Sequence, residues 1–273
     1  MPYFDESTGY VYTYTVVETG VPGYNATVSQ ADADTVDITN TISQDYVKIP
    51  VMKTWVDTIA ASYRPDVTFV LSANGVEKER YTMKTPETSH TFGATEADKL
   101  PKYDKNGDVI TYTVTELPVA GYIQTAAVKT DDGAYLFTNT SIKARIVKYD
   151  VNDENPDSPT EIDGATFTVS GNGHTWSFTT PNDLEYALTQ SGGQALTPGT
   201  YTMTEYKAPL GYKKSDEAVT FTIDEKGTIK QVYNNKTYTY KLGENAMIRF
   251  ADTPIYGSAK LTKTDASTGA RLA

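Results

Sequence analysis

The chain has 273 residues, 38% of them hydrophobic, a formal net charge of -11 and no cysteine. The acidic balance argues against nucleic acid as a partner, and the lack of thiols excludes disulfides, thiolate catalysis and cysteine-ligated metals. No apolar run is long enough to cross a membrane, so this stretch is not expected to insert into one. Abundant Thr, Val and Tyr, with frequent turn residues, predict an all-β protein of two or three domains.

Residues 1–43 read as the second half of a repeat. Tyr12, Tyr14, Val16 and Glu18 alternate onto one face of a predicted strand, which runs into a VPGY turn at Val21–Tyr24. A last strand, VDITNT, puts Val36, Ile38 and Asn40 on one face. Residues 44–142 read as a whole repeat. In its first strand Val51, Lys53 and Trp55 share a face. Arg64–Gly75 predicts a strand ending in an Asn-Gly hairpin turn, with Glu79–Lys84 as its partner. A second turn is expected at Lys105–Asp108. ITYTVTE then puts Ile110, Tyr112, Val114 and Glu116 on one face and Thr111, Thr113 and Thr115 on the other. AYLFTNT closes the repeat with Phe137 and Asn139 together.

Residues 143–255 read as a second whole repeat of a different subtype. It opens with Ala144, Ile146 and Lys148 on one face and continues into an acidic loop. GTYTMTEYKAPLGY repeats the glutamate strand, with Tyr201, Met203 and Glu205 aligned. A turn is expected at Asp224–Gly227, and Tyr233–Glu244 is an insertion relative to the preceding repeat. The closing strand aligns Ile248, Phe250 and Asp252. Residues 256–273 open a further repeat, where Lys263 matches Lys148. Met1 is followed at once by a mid-domain pattern and Ala273 falls at the start of a repeat, so the chain reads as an internal piece of a longer one.

Each whole repeat therefore places three polar groups where apolar ones belong: Lys53, Glu116 and Asn139, then Lys148, Glu205 and Asp252. A buried carboxylate is costly unless paired or protonated. If first and last strands are neighbours, each trio meets in the core, and two outcomes are open. One is a buried hydrogen-bonded cluster, weak in net stability. The other is covalent. A desolvated lysine becomes a neutral nucleophile, and a buried glutamate shuttles protons while the amine attacks the Asn or Asp side-chain carbonyl.

VMKTW, RPDVTFVL, LPKYD, ITYTVTE, VAGY and FTNT, in that order, resemble the collagen-adhesin B-type repeats of Gram-positive surface proteins. DGATFTV, GTYTMTEYKAPLGY, VTFTI and FADTP look like the pilin-type, prealbumin-like variant of that family. The resemblance implies tandem Ig-like or prealbumin-like β-sandwich domains with autocatalytic Lys–Asn or Lys–Asp isopeptide bonds. It also implies a stalk or pilin role on a cell-wall-attached protein outside the cell. Carried over by residue, Lys53, Glu116 and Asn139 form one triad and Lys148, Glu205 and Asp252 the other. Glu116 and Glu205 are the proton shuttles. Asp252 departs from the commoner Asn. Glu18 and Asn40, and separately Lys263, match as half-sites with no intramolecular bond expected; joining Lys263 to Asn40 between two copies is a further expectation.

Other features read more plainly. The acidic residues of Asp150–Asp163 match no defined calcium loop and are expected to be solvated. His90 and His174 lie in different repeats, so neither a histidine metal site nor a cofactor is expected. Trp55 and Trp176 read as packing rather than as a sugar platform. A monomeric spacer is the leading expectation, with host proteins or glycans bound by other parts of the full chain. A module that itself recognises a host protein or glycan is the alternative. No constellation for an enzyme acting on an external substrate is present.

Overall fold

A computed structural model of the chain describes residues 3–32, 35–181 and 195–271; the chain ends Met1 and Ala273 lie outside them. Among the described residues it is all-β, with one short 3-10 turn at Ala61–Tyr63. Among the described residues no helix is long and apolar enough to cross a membrane. The strands are β1 (Tyr24–Gln30), β2 (Val36–Ile42), β3 (Tyr46–Val47), β4 (Ile49–Val56), β5 (Val67–Ala73), β6 (Val76–Met83) and β7 (Ser89–Phe92). There follow β8 (Leu100–Pro101), β9 (Tyr112–Glu116), β10 (Tyr122–Gln124), β11 (Val128–Lys129), β12 (Tyr135–Ser141), β13 (Ala144–Asp150) and β14 (Thr166–Gly171). The last are β15 (His174–Thr179), β16 (Gly199–Lys207), β17 (Tyr212–Lys213), β18 (Ala218–Ile223), β19 (Ile229–Tyr233), β20 (Lys236–Tyr240) and β21 (Ala246–Pro254).

The chain resolves into two compact units. One comprises Met1–Lys53, Asp66–Leu117 and Ala127–Phe137, and the other Thr54–Pro65, Pro118–Ala126 and Thr138–Ala273. In the first unit β5 pairs with β6 through the expected Asn-Gly turn, where Asn74 and Gly75 have φ of 50° and 81°. Two consecutive positive φ values make this the hairpin turn whose twist matches its strands. On its other side β5 pairs with β9, and that register sets Phe69 opposite Glu116. The alternation read from the sequence holds on β9: Tyr112, Val114 and Glu116 are buried, while Thr111, Thr113 and Thr115 are exposed. Further pairings run β10-β12-β4-β7, with β11 also on β12.

The second unit contains two sheets, β13-β21-β17 and β15-β14-β16-β18-β19-β20. One apolar cluster joins them, with Ile146, Ile248 and Phe250 from the smaller sheet against Phe167, Met203 and Phe221 from the larger. Burying each such side chain contributes about 1.5–3 kcal/mol, and this term holds the layers together. The predicted turn at Asp224–Gly227 is present, and the Tyr233–Glu244 insertion adds β20 to the edge of the larger sheet.

One predicted strand is absent. Residues 12–20 hold no strand, and Tyr12, Tyr14 and Val16 are 44%, 50% and 49% exposed. A strand needs a ladder partner as well as alternation. Here β1 and β2 pair only with each other, and no strand lies beside Tyr12–Glu18 among the described residues.

Candidate functional site

The alternation of β13 sends Ala144, Ile146 and Lys148 inward, and Lys148 is fully buried. Its Nζ lies 2.9 Å from Glu205 Oε1 and also contacts Asp252 Oδ1. Glu205 comes from β16, opposite Phe167, and Asp252 from β21. Parallel pairing of the first and last strands puts Lys148 beside Phe250. The amine sits 4.3 Å from the centre of the Phe250 ring and 5.6 Å from that of Phe167, and the two rings meet edge to face. The site is therefore dry on its apolar side. Burial pushes the Asp252 carboxyl above the usual carboxylate range, and the Lys148 contact opposes that shift. A carboxyl held toward its acid form beside an amine is the electrophile that amide formation requires.

The first unit holds a second buried lysine–glutamate pair. Lys53 Nζ lies 3.1 Å from Glu116 Oε2, and neither side chain is exposed. Asn139 is also fully buried. Burial pushes the Lys53 amine down to about 8, with Glu116 pulling it back up. At pH 7 roughly a tenth of such amines are neutral. Phe69, opposite Glu116, packs on Phe137 at 5.0 Å between ring centres, as Phe167 packs on Phe250 at 5.1 Å. In both repeats the second phenylalanine stands two residues before the Asn or Asp.

The half-sites differ from these. Asn40 Nδ2 donates to Glu18 Oε1 at 2.8 Å, so that pair meets as the pattern requires, but Asn40 is exposed and Glu18 only half buried. Lys263 is exposed and lies in no strand.

Residues 1–41 and 49–140 match the model of the Cna protein B-type domain, and residues 143–237 match that of the SpaA prealbumin-like fold domain. The chain is made of Cna B-type and prealbumin-like domains. No curated protein matches it. Among solved structures it is similar to the pilus adhesin SpaC from Lactobacillus rhamnosus GG, at 14% identity and a TM-score of 0.51 over 82% of this chain. It is also similar to the two-repeat unit B1B2 of the collagen-binding protein of Staphylococcus aureus. That match has 20% identity and a TM-score of 0.31, and covers 92% of this chain and 65% of the other. The chain spans 31% and 32% of the length of the two SpaC structures it matches first.

Within the prealbumin-like domain, sequence reasoning missed two buried polar residues. Gln231 sits on the inward face of β19 between Ile229 and Tyr233. Its side chain accepts from Arg249 N at 2.9 Å and donates to Arg249 O at 2.8 Å, a hydrogen-bonded tie between the two sheets. A polar residue at an inward position is the same signal that marked Glu205. Arg249 is 2% exposed and lies on the face of β21 opposite Asp252. It donates to Pro156 O at 3.0 Å, Asp157 O at 2.8 Å and the Tyr240 hydroxyl, and lies 3.9 Å from the Tyr238 ring centre. Alternation alone would send it to solvent; the covering loop makes its environment.

That loop is the acidic one, and several of its carboxylates are engaged. Asp153 accepts from Asn155 N and Thr160 N, Asp157 pairs with Lys236, and Glu161 pairs with Arg145. No set of three or more acidic or histidine side chains suited to a metal gathers among the described residues. Trp176 is buried, and Trp55 packs edge-on against Tyr122 at 4.7 Å.

Proposed function

We propose that the chain is a run of spacer modules from the stalk of a bacterial surface adhesin or pilus-like protein, bounded at residues 1–43, 44–142, 143–255 and 256–273. In it Lys148 condenses with Asp252, and Lys53 with Asn139, to give intramolecular isopeptide bonds. The observation that carries this reading is the Lys148 amine, fully buried and in contact with both Glu205 and Asp252.

The geometry supports the following chemistry. The neutral amine attacks the side-chain carbonyl carbon. The glutamate takes a proton from nitrogen and returns it to the leaving group. A C–N bond replaces a C–O bond at Asp252, releasing water, and a C–N bond replaces the amide C–N bond at Asn139, releasing ammonia. Fixing the reactants in one buried cluster supplies the proximity that the uncatalysed reaction lacks. Each triad acts once, on its own chain, so the protein is not an enzyme toward external substrates and needs no cofactor. The bond ties the first strand of a module to its last, so load passes through covalent bonds. Such modules belong on a wall-attached protein of a Gram-positive surface, holding other parts of the full chain out toward a host protein or glycan.

Intact mass of the denatured chain tests this. The expected deficit is one ammonia plus one water. Glu116→Ala restores the ammonia, and Glu205→Ala restores the water. A chain at its full calculated mass returns both triads to ordinary buried clusters.

A further inference from the structure

The three triad side chains leave one polar contact of the prealbumin-like site unused. Glu205 Oε1 faces Lys148, and Glu205 Oε2 accepts the backbone N–H of Ser215 at 2.9 Å. We propose that this Ser215 N–H is a positioning group for the Lys148–Asp252 condensation, and that segment 213–217 is a working part of the reactive centre. The inference rests on the isopeptide reading above.

A carboxyl group rotates readily about its last torsion, and both oxygens then compete for the amine. Holding Oε2 with a fixed donor leaves Oε1 as the oxygen that meets Lys148, so proton removal and return use one atom in one orientation. The donor is fixed in turn. Ser215 Oγ accepts from Glu217 N at 3.2 Å, and Lys214 pairs with Asp216 at 2.7 Å across the same turn. Segment 213–217 lies outside any strand between β17 and β18, apart from Lys213 at the end of β17. Periodicity therefore carried no information about it.

The same segment forms one wall of a cleft of about 320 Å³, which Tyr233, Asn234, Asp252 and Thr253 also line. The cleft gives the reaction its exit. Lys148 Nζ bonds to the Asp252 carboxyl carbon, Glu205 Oε1 receives a proton from nitrogen and delivers it to the departing hydroxyl, and the water formed leaves through the cleft. The segment thus orients the shuttle on one side and drains the product on the other.

The test separates the backbone donor from the side chain. The full chain is made by cell-free synthesis with lactic acid at position 215, which replaces the N–H by an ester oxygen. Ser215→Ala has the same side chain with the N–H intact and serves as its control. Ser215→Pro removes the donor by a second route. Samples are quenched in acid at intervals, and loss of water is followed by intact mass. Folding is checked by thermal melting in a Lys148→Ala background, where no bond forms. The ester and proline chains are expected to be slower than Ser215→Ala by at least about tenfold, as expected for a misaligned catalytic group. Equal rates for ester, proline and alanine chains overturn the positioning role and leave the bond standing. A wild-type chain that loses no water overturns the bond, and the positioning role with it.

Discussion

Lys148 does not meet Asp252 across its own rung of the ladder. The β13–β21 register pairs Lys148 with Phe250 and Asp150 with Asp252, and the Lys148 amine reaches along the neighbouring strand to Asp252. Two residues of strand advance about 6.6 Å, within the span of a lysine stem. The Phe250 ring centre lies 4.3 Å from that amine.

The geometry is indifferent to which leaving group Asp252 carries. Asp252→Asn is therefore expected to keep the bond and change the product. The denatured chain loses two ammonias instead of one ammonia and one water, which intact mass distinguishes. Retention of the full side-chain mass at this site would show that the carboxylic acid itself is required.

The Lys53 amine makes stability depend on pH when no bond can form. In an Asn139→Ala chain it remains an amine, held at about 8 in the fold against the ordinary 10.5. Between those values the unfolded chain binds a proton that the folded chain has released, so stability rises as pH climbs through that window. The gain is about 3 kcal/mol and is complete above 10.5; below 8, where both states are protonated, this group no longer makes stability depend on pH. Urea unfolding across that range, compared with Asn139→Ala/Lys53→Met, isolates the slope. Two parallel curves would contradict it.

Glu18 and Glu116 occupy equivalent places in the sequence and unequal places in the fold. Glu116→Ala strands a buried lysine and is expected to cost about 3–5 kcal/mol. Glu18→Ala removes a partner from an exposed asparagine and is expected to stay within about 0.5 kcal/mol. Urea midpoints of the two variants make the comparison.

Arg249 holds the acidic loop by its backbone carbonyls. Arg249→Met keeps much of the volume but orphans the Pro156 and Asp157 carbonyls and the Tyr240 hydroxyl. The expected cost is about 3 kcal/mol, with faster amide exchange at Asn155 and Thr160. Gln231→Leu is expected to cost about 2–4 kcal/mol, because Arg249 N and O both lose their partner. Exchange at Asn155 unchanged in Arg249→Met would sever the loop from the arginine.

Strand alternation made most of the site legible. A polar residue in an apolar row singles out Lys148, Glu205 and Asp252, and all three are buried. Gln231 falls in an apolar row as well, but an uncharged amide there is a weaker signal than a charge. Arg249 carries no such signal. It lies on the face that alternation assigns to solvent, and only a loop some 90 residues earlier in the chain removes it from water. Tyr12–Glu18 failed in the opposite sense. Its pattern is as regular as that of β9, yet alternation says nothing about whether a neighbour exists. Ser215 was beyond reach for a third reason: its contribution is a backbone donor, which every residue but proline possesses.

The parallel pairing of β13 with β21 has a mechanical meaning. The chain enters this pair at Ala144 and leaves it at Pro254, at opposite ends of two strands that run the same way. Tension along the chain then slides one strand past the other and loads the rungs from Ala144–Ala246 to Asp150–Asp252 together. An antiparallel pair entered and left at one end would open rung by rung like a zipper. This module resists in shear even before any covalent bond is counted.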